Sequence, residues 1–180
     1  MSANTAIRSF ITILGALPAG VIDPNRIGQS GPGGATDLPR IAVSLERVKE
    51  SGIGIGGAVG LVFDGAQWIT TTGTRASGLL RLEIWTAGAT GMTQIADAVL
   101  TLLAGSGATL FTSGFVRFET ETLRSAEAVS LGDLSAAIHR TLEFSVLHED
   151  IATLTTGPGG VIKEIDVGIN GQLNEKLIVK

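Results

Sequence analysis

Histidine, the side chain best suited to acid–base work near neutral pH, occurs twice in this 180-residue chain, as His139 and His148. His148 opens the run His148-Glu149-Asp150, the best acid, base or metal-ligand cluster available. Side chains alternate between the faces of a strand, so His148 and Asp150 share one side and Glu149 takes the other. Two convergent ligands fall short of the three that a catalytic zinc normally takes. The run therefore reads as surface polar residues on an exposed strand. Glu119 and Glu121 form the other carboxylate pair. Spaced i, i+2 on one strand face, they come near the roughly 5 Å of a retaining glycosidase pair. Arg117 on that same face points instead to a solvated charge ladder. Tyr is absent and Trp is limited to Trp68 and Trp85, which leaves no aromatic sugar platform. The string Gly52 to Gly57 matches G-x-G-x-x-G, a pattern that holds a pyrophosphate only where a strand ends and a helix opens. Its sequel, AVGLVFDGAQW, has no helical period, so the string reads as a flexible Gly-rich loop. A G-x-S-x-G elbow, a P-loop and an H-E-x-x-H helix are all missing. These residues argue against an enzyme and imply no metal or cofactor; a glycan hydrolase using Glu119, Glu121 or the His148 run is the distant alternative.

The elements that must position such residues are clearest between Leu79 and Gly105. Leu80, Leu82, Ile84 and Thr86 alternate with Arg81, Glu83, Trp85 and Ala87, the period of a strand with one buried face. After Gly88, Met92, Ile95, Ala96, Val99, Leu102 and Leu103 recur at three- and four-residue steps and predict a helix over 92–104, with Thr90 as N-cap and Gly105 at its C-terminus. Ile7, Phe10, Ile11, Leu14 and Leu17 predict an N-terminal helix, capped by Asn4 or Thr5 and stopped by Pro18 and Gly20. That pattern outweighs a signal-peptide reading of the same segment. Short extended or strand segments are expected at Val21–Ile27, Ile41–Val48, Leu61–Phe63, Gln67–Thr72, Thr109–Thr112, Phe115–Leu123 and Leu142–Val146. Asp133 to His139 could be one helical turn. The turn Gly157-Pro158-Gly159-Gly160 bridges the strand through Val146 to one carrying Val161, Ile165, Val167 and Ile169, which reads as a long β-hairpin; the tail NEKLIVK is a last strand or an arm. Gly-rich loops are expected at 28–36 and 51–60. The whole predicts a single α+β domain over 1–180, a mostly antiparallel sheet packed by two main helices.

Composition narrows the function class. Charged residues are 17% against 44% hydrophobic, and mean hydropathy is +0.37. So little polar material coats an isolated monomer poorly, and surface buried against other chains is expected. The net charge of −4 supplies no basic footprint for gripping nucleic acid. No apolar run approaches a membrane span. Cysteine is absent, which excludes disulfides and thiolate metal sites. Trp85 lies on the nominally wet side of its strand; a large aromatic there is either covered by a second local element or anchors an interface.

The layout of Asp37 to Val48 (DLPRIAVSLERV), RLEIWTAG, TQIADAVLTLLAG and RTLEFSVLHED, behind an N-terminal amphipathic helix, resembles the tail terminator, or tail-completion, proteins of tailed bacteriophages. The resemblance rests on element order and patterning over most of the chain, and the Gly-rich stretches Gly28–Gly34 and Gly52–Gly60 depart from it. It implies a structural virion protein of the tail or neck, assembled in the host cytoplasm. Its subunits would form a homo-oligomeric, six-membered ring that caps the tail tube, stops its polymerisation and joins it to the head-side connector. Implied partners are the tube protein, the connector and a sheath protein, with DNA passing through the bore without specific binding. A tail tube or head-completion protein of the same particle is the second reading. Arg81, Glu83, Trp85, Gly157, Pro158, Gly159 and Gly160 are the expected contact residues.

Overall fold

Ala6, Ile7, Phe10, Ile13 and Leu14 fall on one stripe of α1 (Ser2–Leu14) and are buried. In the computed structural model, which describes residues 2–65, 68–131, 134–156, 164–169 and 172–178, this helix starts earlier and stops earlier than the apolar spacing suggests. Ala16 N and Leu17 N bond back three residues, to Ile13 O and Leu14 O, and the tightened turn delivers Leu17 to the core just ahead of Pro18. The extended piece expected at Val21–Ile27 is mostly a turn. Asp23 accepts from Asn25 N at 2.9 Å and caps a single 3-10 turn, Pro24–Arg26, leaving only β1 (Ile27–Gly28) extended. The Gly-rich loop that follows is held by side chains. Asp37 accepts from Gly33 N at 2.8 Å and from Arg26 Nη1 at 3.4 Å, and Arg40 Nε donates to Ser30 O at 2.6 Å.

The sheet is built from β2 (Arg40–Phe63), β3 (Trp68–Thr86), β4 (Phe115–Leu123), β5 (Glu127–Leu131) and β6 (Leu134–Thr156), with β1 added in parallel to β2. Its order is β1-β2-β3-β6-β4, and β5 also pairs with β6. With α2 (Ala89–Gly105) and α3 (Gly107–Thr112), this is the α+β class expected, with a mostly antiparallel sheet. The core lies on one sheet face. Ile41 and Val43, Leu80, Leu82 and Ile84, and Leu142, Phe144 and Val146 meet the buried stripes of α1 and α2, the latter Met92, Ile95, Ala96, Val99 and Leu103. Each such side chain contributes about 1.5–3 kcal/mol by leaving water. Phe118 stacks on Phe144 at 4.9 Å and on Phe10 at 5.6 Å, tying edge strand, central strand and helix together.

Several local expectations are corrected. Thr109–Thr112 is helical, within α3: Leu110 N bonds Ser106 O at 2.8 Å, and Leu110 is buried while Phe111 is exposed. Four β-prone residues flanked by helix-compatible ones follow their surroundings rather than their propensity. The α2 N-cap is Gly88, with Thr90 inside the first turn, and the C-cap is Ser106, with Gly105 as the last helical residue. No helical turn forms across residues 134–139, because β6 pairs there with β5, setting Glu127 opposite His139; Asp133 lies outside the described residues. The Gly-rich loop expected at 51–60 is strand instead, and the GIGIGG string lies inside β2. Gly54 and Gly57 take φ of +76° and +85°, so the strand kinks and continues. A Cβ on Gly54 would stand 2.1 Å from Ala58 O, a space only glycine fits.

Two compact units divide the described residues: Met1–Ser51 with Thr74–Asp150, and Gly52–Gly73 with Ile151–Lys180. The first contains the helices and the core. In the second, Thr72 Oγ1 donates to Ala152 O at 3.3 Å, and Gly73 lies so close to Val59 that a Cβ would come within 2.7 Å of its Cγ2. It also holds β7 (Glu164–Ile169) paired antiparallel with β8 (Gln172–Ile178), which makes most of the NEKLIVK tail a strand. The turn at Gly157, Pro158, Gly159 and Gly160 lies outside the described residues.

Candidate assembly interface

The sheet face turned away from the helices carries Arg81, Glu83 and Trp85 of β3. Alternation puts them there because Leu80, Leu82 and Ile84 are claimed by the core. Arg81 stands between two carboxylates from flanking strands. Its Nη1 donates to Glu46 Oε1 on β2 at 2.6 Å; its Nε and Nη2 donate to Glu143 Oε1 on β6 at 3.2 and 3.0 Å. Arg124, just beyond β4, adds Nη2 to that same Glu143 oxygen at 3.3 Å. Charges thus alternate Glu46, Arg81, Glu143, Arg124 across β2, β3, β6 and the residue that follows β4, and cancel. Glu143 is 5% exposed, and these guanidinium donors take the place of the water its carboxylate gives up. The Glu143 hydrogen bonds hold the Arg81 guanidinium above its ordinary pKa; burial opposes this, and the charges of Glu46, Glu143 and Glu83 add to it. Four residues along β3, Trp85 lies on the His139 ring of β6, centroids 4.1 Å apart, and His139 Nδ1 approaches Glu127 Oε1 at 3.3 Å. Trp85 is therefore half-covered by its own sheet, while its indole N–H and His139 Nε2 are both buried without a hydrogen-bond partner.

The candidate catalytic residues are dispersed. His148 is 1% exposed, which overturns its reading as a surface residue: it continues the inward face of Leu142, Phe144 and Val146. Its Nε2 donates to Ser113 O at 3.0 Å, fixing the Nε2–H tautomer, and its ring meets Phe115 edge-on at 4.9 Å. Burial lowers its pKa, against smaller opposing effects from the Ser113 bond and the Asp150 charge. Gly114 has a φ of +93°, and a Cβ there would fall 2.9 Å from His148 Nε2 and 2.5 Å from Glu149 O, so both backbone and space call for glycine. Glu149 turns outward to ion-pair with Arg75, and Asp150 accepts from Thr5 Oγ1 at 3.1 Å. The three neighbours serve three different contacts. Glu119 and Glu121 are exposed, and a register shift between Thr120 and Thr122 interrupts the regular i, i+2 face between them. Among the described residues no three His, Cys, Asp or Glu side chains gather as metal ligands. A hollow of about 210 Å³ beside the start of α2, lined by Val21, Pro39, Thr86, Gly88, Gln94 and Ile95 among others, presents no ionisable group.

The role of Glu143 as the hub is not written in its local sequence, because its neighbours depend on strand order. A second feature emerges from exposure. Val59, Leu61, Val62, Phe63 and Ile151 are all solvent-facing, Leu61 at 54%, Val62 at 63% and Phe63 at 50%. Between Ser51 and Gly73 the sequence holds one charged residue, Asp64. No helix among the described residues is long and apolar enough to cross a membrane. Compared with protein-family models and with curated proteins, the chain matches none.

Proposed function

We propose that this chain is a structural subunit of a phage-like particle, a tail terminator whose copies close a ring, cap the tail tube and receive the head-side connector. The observation that carries the reading is the exposure of Val59, Leu61, Val62, Phe63 and Ile151, with Asp64, in the turn after β2, the one charged residue between Ser51 and Gly73. Consecutive exposed Leu61, Val62 and Phe63 place apolar side chains on both faces of one strand, a surface that a lone soluble chain has reason to cover. The order of helix, several strands, helix and several strands, on which the resemblance rests, supports the reading as well. Its mechanism is geometric. One face of the ring copies the contacts by which tube subunits add, and the opposite face cannot accept another.

The test is tube growth followed by light scattering, with purified chain added to the tube protein. Arrest at substoichiometric amounts, one ring per growing end, is expected; growth unaffected by a large excess removes the terminator role. Growth of long tubes by the chain alone identifies it as a tube protein.

A further inference from the structure

β4 closes the strand order on one side of the sheet. Its inner edge is satisfied by β6 in regular register from Arg117, opposite Leu147, to Thr120, opposite Phe144. Its outer edge has no strand partner among the described residues, so alternate N–H and C=O groups stand open to a further strand. Charge usually protects such an edge, and here the charges differ in sign. Arg117 and Glu119 share the face away from the core, both are exposed, and among the described residues neither forms an ion pair. A like-charged edge would repel its own copy; a positive and a negative residue two places apart make the strand complementary to itself.

We infer that β4 pairs antiparallel with β4 of a second copy about Phe118, setting Arg117 of each chain against Glu119 of the other. The inference goes beyond the ring reading, because a two-fold contact is complete with two copies and cannot by itself close a six-membered ring. Register is chosen by charge. Centring the pair one residue later, on Glu119, would oppose two glutamates directly and set Arg117 against Glu121, which lies within the register shift. Pairing about Phe118 avoids both and keeps Arg117, Phe118 and Glu119 within the regular stretch of β4. The Phe118 side chain stays in its own core between Phe10 and Phe144, so the contact is made by backbone hydrogen bonds and the paired charges.

The absence of natural cysteine makes the register directly readable. In an antiparallel pair, facing Cβ atoms lie about 4.5–5.5 Å apart, close to disulfide reach. The double variant Arg117→Cys/Glu119→Cys, mildly oxidised as the full chain, is expected to run as a covalent dimer without reductant, and Glu119→Cys alone as a monomer. Cross-linking by Glu119→Cys alone to the same extent, or by neither, overturns the pairing. Sedimentation of the uncross-linked chain reads the charges: Arg117→Glu is expected to weaken this association about tenfold or more, and Arg117→Glu/Glu119→Arg to restore it. Loss without restoration, in variants whose circular dichroism melts are unchanged, also overturns it. Rings without the cross-link would leave the proposed function standing, and the cross-link without rings would leave only the pairing.

Discussion

Arg81 on β3 donates to one oxygen of Glu143 on β6 through both Nε and Nη2, at 3.2 and 3.0 Å, with Glu143 almost wholly buried and Arg81 partly open to solvent. The arginine therefore serves the glutamate more than the reverse. Removing Arg81 strands a buried carboxylate with only Arg124 beside it.

Arg81→Ala is accordingly expected to cost about 2–4 kcal/mol of stability, and Arg81→Ala/Glu143→Gln distinctly less, since the second change discharges the orphaned group. Urea unfolding of the single and double variants measures both. Equal losses would show that Glu143 tolerates burial unaided.

The Trp85–His139 stack spans β3 and β6 on that same face. A double-mutant cycle with Trp85→Ala and His139→Ala is expected to give a coupling of about 0.5–1.5 kcal/mol. Strict additivity in thermal or chemical unfolding would mean that the two rings touch without stabilising each other.

His148 yields a pH dependence with a definite sign. Burial lowers its pKa in the folded state, whereas in the unfolded chain it protonates near the ordinary value of about 6.5. The unfolded state then binds more protons below that value, so the contribution is fully present above it. It is lost as pH falls through about 6.5 toward the lower folded value. His148→Gln is expected to remove this component: it lowers stability at pH 7.5 by about 1–3 kcal/mol but flattens the loss between pH 7.5 and 5.5 relative to the parent. Parallel pH profiles for the two proteins would refute the assignment.

Leu61 and Phe63 are exposed, so Leu61→Asp/Phe63→Asp is expected to shift unfolding stability by no more than about 1 kcal/mol while abolishing higher assembly. Mass photometry beside a thermal melt separates the two effects. Intact assembly in the variant would move the apolar contact elsewhere.

Legibility in the sequence followed the range of the interactions. Between Leu79 and Gly105 the change of period from two to three-and-four located β3 and α2, because each element's burial is written in its own spacing. Thr109–Thr112 misled because four β-prone residues carry too little pattern to oppose the helical backbone begun at Ser106. The buried state of His148 was readable: it continues the alternation of Leu142, Phe144 and Val146, and its polar type hid that. Glu143 was not readable, since its role needs β3 and β6 to be neighbours, and strand order is a property of the whole chain. The kink at Gly54 and Gly57 lay between these cases; glycine announced an unusual backbone, but not that the strand would resume.

The proposed function requires that copies of this chain close a ring. Electron micrographs of the purified protein, class-averaged with and without the tube protein, test it most directly. Closed rings of about six subunits around an open bore, seated singly at the ends of short tubes, are expected. A protein that remains monomeric or no larger than a pair at high concentration, with tube ends left bare, would contradict it.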